Sequence, residues 1–181
     1  MADPYCLIIS GPSGSGKTTT AKMLWKSLDG NPAYLSLDSI KHLVSSAEST
    51  DYFLDLARLN ALSLTENFLC RNHPIIIEKA FGNYKYVRDF IELADNLQVK
   101  SHYFKLNAPL EILIERADRR RNASLREKVE SGEWPLPIGN RETVTSIYNF
   151  FMKYQHNEGI EIDTSNKTPE EVTQLIRSYL I

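Results

Sequence analysis

Three glycines within six residues, Gly11, Gly14 and Gly16 of GPSGSGKTTT, stand between the apolar run Tyr5-Cys6-Leu7-Ile8-Ile9 and a stretch with helical spacing. That order constrains the chain more than any other feature of it. A buried strand has to end, the backbone has to turn tightly, and a helix has to begin a few residues later, which is how a parallel β-turn-α unit opens. Glycine permits such a turn. It also lets successive backbone N–H groups aim into one concavity, in front of the positive end of the following helix dipole. A group carrying several anionic oxygens is what that concavity favours.

The spacing is specific. Gly11, four residues, then Gly16-Lys17-Thr18 matches GxxxxGK[ST] in its required strand–turn–helix setting, the Walker A pattern of nucleoside triphosphate sites. Gly11, Pro12, Ser13, Gly14, Ser15 and Gly16 form the cradle, Lys17 reaches the β- and γ-phosphates, the Thr18 hydroxyl ligates Mg²⁺, and Thr19 follows in the first turn. The expected ligands are ATP and Mg²⁺.

The rest of the chain repeats the unit. Strands are expected at 5–10, 33–37, 75–77, 99–106 and 160–162, and helices at 53–71, 84–97, 109–130 and 141–157, after a first helix in which Ala21, Leu24, Trp25 and Leu28 form an apolar stripe. Thr168-Pro169-Glu170-Glu171 is a capping box with proline at the first helical position, opening a last helix. Apolar strands alternating with crossover helices predict one α/β domain over 1–181, with a parallel sheet covered on both faces. The fourth strand, VKSHYFKL, has the least regular pattern. The Pro/Gly-rich segment 131–139 reads as a loop between two helices, within a lid spanning about 116–141.

Composition narrows the function classes. A net charge of −2 offers no general attraction to nucleic acid or to anionic lipid. Two cysteines are too few for a disulfide framework, and Cys6 sits inside the first strand. The N-terminus lacks a basic region followed by a long apolar one, and no apolar run approaches the roughly 18 residues of a membrane span. The chain reads as cytoplasmic, and the histidines show no metal-ligand spacing.

The receiving side is marked by acids at strand ends, where an open α/β sheet has its ligand crevice. Asp38 in LDSIK is placed as the base for an attacking hydroxyl, with an N-cap as its bland alternative. Glu78 in IIIEKAF reaches either the metal or the acceptor, Lys41 and Phe81 belong to the acceptor side, and Arg88 lies further along the next helix. Arg116, Arg119 and Arg120 cluster on one helix, as charges that would close over a transferring phosphoryl group or simply form a salt-bridged surface.

GPSGSGKT, LDSIK, IIIEKAF, RADRRRN and IDTSNKTPEEV together resemble the small P-loop kinases, in particular the branch containing chloramphenicol phosphotransferase, the zeta-toxin kinases and polynucleotide 5′-hydroxyl kinase. The resemblance implies a five-stranded parallel sheet in the order 2-3-1-4-5, a catalytic aspartate at Asp38, lid arginines among Arg116, Arg119 and Arg120, and contact of the segment 164–167, including Asn166, with adenine. Lys41 stands where polynucleotide kinases carry arginine. The paired motifs of the adenylate and thymidylate kinases and the GMP-binding segment of guanylate kinase are missing, which argues against a nucleoside-monophosphate kinase. The expectation is an ATP-dependent kinase acting on a hydroxyl of a small molecule. The alternatives are a polynucleotide or nucleotide-sugar acceptor, or an ATPase switch or binding module, although the length leaves no room for the separate helical domain of an AAA-type module.

Overall fold

The computed structural model describes residues 3–44, 50–131, 139–154 and 156–180. Strand β1 (Tyr5–Ser10) runs into the glycine loop and α1 (Lys17–Ser27). Strand β2 (Ala33–Ser36) is followed by the short α2 (Leu37–Lys41) and by α3 (Asp51–Leu69). Then come β3 (Ile75–Lys79), α4 (Tyr84–Asn96), β4 (Lys100–Asn107), α5 (Leu110–Ser131), α6 (Arg141–Lys153), β5 (Ile160–Asp163) and α7 (Pro169–Ser178). All four strand pairings are parallel and the order is β2-β3-β1-β4-β5, as the resemblance implied. The order reverses at β1, so the crevice opens where the glycine loop leaves the sheet.

Strand alternation sorts the side chains onto two cores. Cys6 and Ile8 of β1 join Ile75 and Ile77 of β3 beneath α3 and α4, where Val87 and Phe90 are fully buried. Leu7 and Ile9 join Ile76, Phe104 and Leu106 beneath α1 and α7, with Ala21, Leu24 and Ile176. Burial pushes the Cys6 thiol up to about 12, so it behaves as a small hydrophobe. The capping box of α7 is formed, Glu171 N–H donating to Thr168 Oγ1 at 3.2 Å and Thr168 N–H to Glu171 Oε2 at 2.7 Å.

Three expectations are corrected. Trp25 packs only at the edge of the sheet: it is 43% exposed and lies against Tyr34 of β2, ring centroids 5.9 Å apart, while Ala21 and Leu24 are buried on the central strands. The second strand ends at Ser36, one residue earlier than the apolar run suggested, because the Ser36 hydroxyl accepts from Ser39 N–H and caps α2. Helix α6 ends at Lys153 instead of 157; beyond it the His156 ring lies 4.3 Å from Tyr84 and its carbonyl takes a hydrogen bond from buried Lys105 at 2.6 Å. Most of the Pro/Gly-rich loop, 132–138, lies outside the described residues. Among the described residues no helix is long and apolar enough to cross a membrane.

Candidate active site

The glycine loop folds as a phosphate cradle requires. Gly14 has φ +85°, and a Cβ there would lie 2.5 Å from the Leu113 carbonyl oxygen of α5. Gly16, also left-handed at φ +90°, is the N-cap of α1. A Gly14→Ala variant is expected to lose about 1–3 kcal/mol of stability in a denaturant titration, from strain and close contact together. The loop's downstream limb lines a cleft of about 300 Å³ together with α5, the β5–α7 turn and the start of α7. Ser15 Oγ is buried there with no hydrogen-bond partner among the described residues. Lys17, Thr18 and Thr19 line the cleft as expected, whereas Gly11, Pro12 and Ser13 form the upstream limb, outside its lining.

Strand register places the acids. Glu78 is level with Ile9 of β1 and Ser36 of β2, on the α1 face of the sheet. Only 2% exposed, it accepts from the Thr18 hydroxyl at 2.9 Å through Oε1 and from the Tyr34 hydroxyl at 3.2 Å through Oε2. Lys17 Nζ stands 3.9 Å from Oε1. Burial lowers the Lys17 pKa, and Arg120 lowers it too, while Glu78 and Asp38 work the other way. The donor set fits magnesium: two hard oxygens 2.9 Å apart match the spacing of about 2.9 Å between neighbouring ligands of an octahedral ion with bonds of about 2.0–2.1 Å.

The next residue, Lys79, points to the opposite face by the same alternation and forms an ion pair with Asp38. Asp38 is in the first turn of α2 and is not the cap, since Ser36 is. Burial raises its pKa, but Lys79, Lys17 and Lys41 outweigh that and hold it below the usual carboxylate range. Beyond the pair lies a second cavity of about 180 Å³, lined by Leu37, Lys79, Phe81 and residues of α3, α4 and α6. Phe81 also packs edge-on to Phe90, so it serves the core and the cavity together.

The arginines separate. Arg116 donates to Thr164 Oγ1 at 3.0 Å, Thr164 O at 2.6 Å and Ser165 O at 3.2 Å, so it holds the β5–α7 turn in place. Arg120 lines the cleft beside Lys17. Arg119 is 76% exposed and pairs with Glu115 one turn back. Arg119→Ala is therefore expected to change activity and stability negligibly, within about 0.5 kcal/mol. Arg116→Ala should cost about 1–3 kcal/mol and raise the KM for nucleotide, because buried carbonyls lose their donor; unfolding curves and steady-state kinetics read both.

Lys41, Arg88 and Asn166 line neither cavity, Lys41 closing α2 beside Asp38. Arg88 is exposed and pairs with Glu92 at 3.1 Å on its own helix, and Asn166 is exposed while Thr164 and Lys167 line the cleft in its place. Tyr34, Lys79 and Arg58 were given no role from the sequence. For Lys79 a signal existed, since it directly follows Glu78 at a strand end; Tyr34 lay hidden in an apolar run.

A parallel sheet of this order, a glycine cradle with Lys17 and Thr18, and a buried acid beside them define a small P-loop kinase. The chain belongs to the family described as an AAA domain (AAA_33), which it matches over residues 7–135. No separate helical domain follows among the described residues, for α6 packs on α5 and α7 on α1. Along 96% of its length the chain is 27% identical to a cytidylate kinase of Sulfurisphaera tokodaii, over 194 aligned residues and 94% of that protein. The tunicamycin resistance protein of Deinococcus radiodurans shares the fold with a TM-score of 0.63 at 19% identity, covering 98% of this chain and 95% of that one. The APS kinase of Mycobacterium tuberculosis does so with a TM-score of 0.63 at 15% identity, covering 99% of each chain.

Proposed function

We propose that this kinase transfers the γ-phosphoryl group of ATP to a hydroxyl of a small molecule, with Asp38 receiving the proton. The observation that supports this most is the place of Asp38, electrostatically coupled to Lys17 on the phosphate side and paired with Lys79 at the edge of the second cavity. An acceptor in that cavity presents its hydroxyl between the two. The oxygen forms the new bond to phosphorus, the bond to the bridging oxygen of ATP breaks, ADP leaves with that electron pair, and the alcohol proton passes to Asp38. In a loose transition state the proton leaves late, so a carboxylate held low in pKa acts chiefly by orienting the hydroxyl until its proton turns acidic.

Lys17 and Arg120 supply fixed positive charge to the transferring group, and Arg116 positions the turn that meets the nucleotide base. Thr18 and Glu78 would hold magnesium, which supplies charge neutralisation at the phosphates. Tyr34 keeps the Glu78 carboxylate turned toward Thr18. A Tyr34→Phe variant is expected to bind magnesium about 3- to 10-fold more weakly in a nucleotide-binding titration, with its unfolding midpoint little changed. The cations lining the acceptor cavity, Arg58 and Lys79, are both engaged by carboxylates, which favours an alcohol over a phosphate as acceptor.

The cytidylate kinase relative favours a second reading, in which a nucleoside monophosphate accepts the group on its phosphate. ³¹P NMR of the product decides between them. A phosphomonoester supports the first reading, whereas a diphosphate formed from CMP refutes it.

A further inference from the structure

Resting on that reading, we infer that the second cavity takes a hydroxylated amine built on a single apolar ring, and selects against nucleotides and sugar acids. Its volume of about 180 Å³ lies below the roughly 300–1,000 Å³ of pockets that enclose drug-sized ligands, so a one-ring compound fills it. Its apolar wall is Leu37, Leu54, Tyr86 and Phe150. Phe150 reaches this position because residue 82 is glycine: a Cβ on Gly82 would come within 2.1 Å of Phe150 Cε1. The chain thus brings an aromatic ring of α6, itself 50% exposed, over the β3–α4 turn.

Charge gives the cavity its sign. Arg58 is held by Asp55 at 2.6 Å and also by Asp89, with its guanidinium carbon 5.5 Å from the Tyr86 ring centroid. Lys79 is held by Asp38, and Asp51 in the first turn of α3 adds a further lining carboxylate. Asp51 and Asp55 line the cavity with Arg58 and Lys79, and both cations are already paired, Arg58 with Asp55 and Asp89 and Lys79 with Asp38. The dipole of α3 offsets part of the charge on Asp51 but not that on Asp55 and Asp89. An anionic acceptor would find both lining cations already engaged. An ammonium group finds Asp51 and Asp55 at the rim and an aromatic wall beside them, while its ring covers the apolar side.

Three probes that share a ring and a hydroxyl but differ in charge test this: 4-(aminomethyl)benzyl alcohol, benzyl alcohol and 4-(hydroxymethyl)benzoate. Each is incubated with the full chain, ATP and Mg²⁺, beside CMP, with phosphorylated product quantified by mass spectrometry. The expected order of kcat/KM is amine, neutral, carboxylate, with the amine at least about 10-fold above the carboxylate. Asp51→Asn should narrow that ratio at least about threefold. The ratio is taken within one preparation, so any loss of folded protein cancels. Equal turnover of the three, or preference for the carboxylate, overturns the inference and leaves hydroxyl phosphorylation standing. Conversion of CMP to CDP with none of the alcohols used overturns the underlying reading as well, and turnover of none of the four compounds overturns the inference.

Discussion

Replacing Asp38 with asparagine is expected to lower phosphorylation of the acceptor by about 10²-fold or more, the scale of losing a positioned base, while ATP affinity stays within a few-fold. Asparagine keeps the shape and can still accept from Lys79, so the fold is preserved. What is lost is the carboxylate proposed to take the hydroxyl proton. Comparing kcat for the acceptor with the dissociation constant of a non-hydrolysable ATP analogue separates the effects, and a parallel loss of nucleotide binding would assign Asp38 to the phosphate side instead.

The ion pair with Lys79 adds a pH dependence whose sign is set. Asp38 is held below the usual carboxylate range, so the acid limb of the rate profile lies below the ordinary aspartate value of about 3.9. Lys79→Met removes the strongest lowering influence and should move that limb to higher pH. The same pair contributes stability that is present above the unfolded aspartate pKa and is lost as pH falls through the depressed folded value. Its size is small, because the Asp38 side chain is half exposed.

The second large effect belongs to Lys17. Lys17→Ala is expected to weaken binding of ATP with magnesium and to lower kcat on the order of 10²–10³, as removal of one preorganised charge does in a water-poor site. Lys17 lies at the end of the cradle, within reach of Glu78 and beside Arg120, and Arg120 is anchored on another element and cannot take its place. Isothermal titration with ATP and turnover at saturating nucleotide measure the two losses, and turnover at the wild-type rate would remove the loop from the chemistry.

The elements most legible from the chain alone were those whose signal is contiguous. β3 opens on an uninterrupted apolar run because that part is buried on both faces, with Ile75, Ile76 and Ile77 all at zero exposure. β4 has the least regular pattern because VKSHYFKL mixes polar and apolar residues, yet its Lys105 is only 6% exposed, the ammonium satisfied by a carbonyl 51 residues away. Trp25 ends half exposed because it meets Tyr34 on the edge strand β2, and which strand lies at the edge is not written in a helix's own apolar pattern.

The site divides along the same line. The glycine cradle, its lysine and its threonine are fixed by local backbone chemistry within eight residues, so nucleotide binding and the parallel sheet could be read before any coordinates. The partnerships are long-range: Thr18 with Glu78 is 60 residues apart, Tyr34 with Glu78 44, Asp38 with Lys79 41, and Arg116 with Thr164 48. Only the folded chain decides them, because they depend on strand register and helix phase. In a strand neighbouring side chains take opposite faces, so Glu78 meets the glycine loop and Lys79 the second cavity, and a slip of a single residue would exchange them.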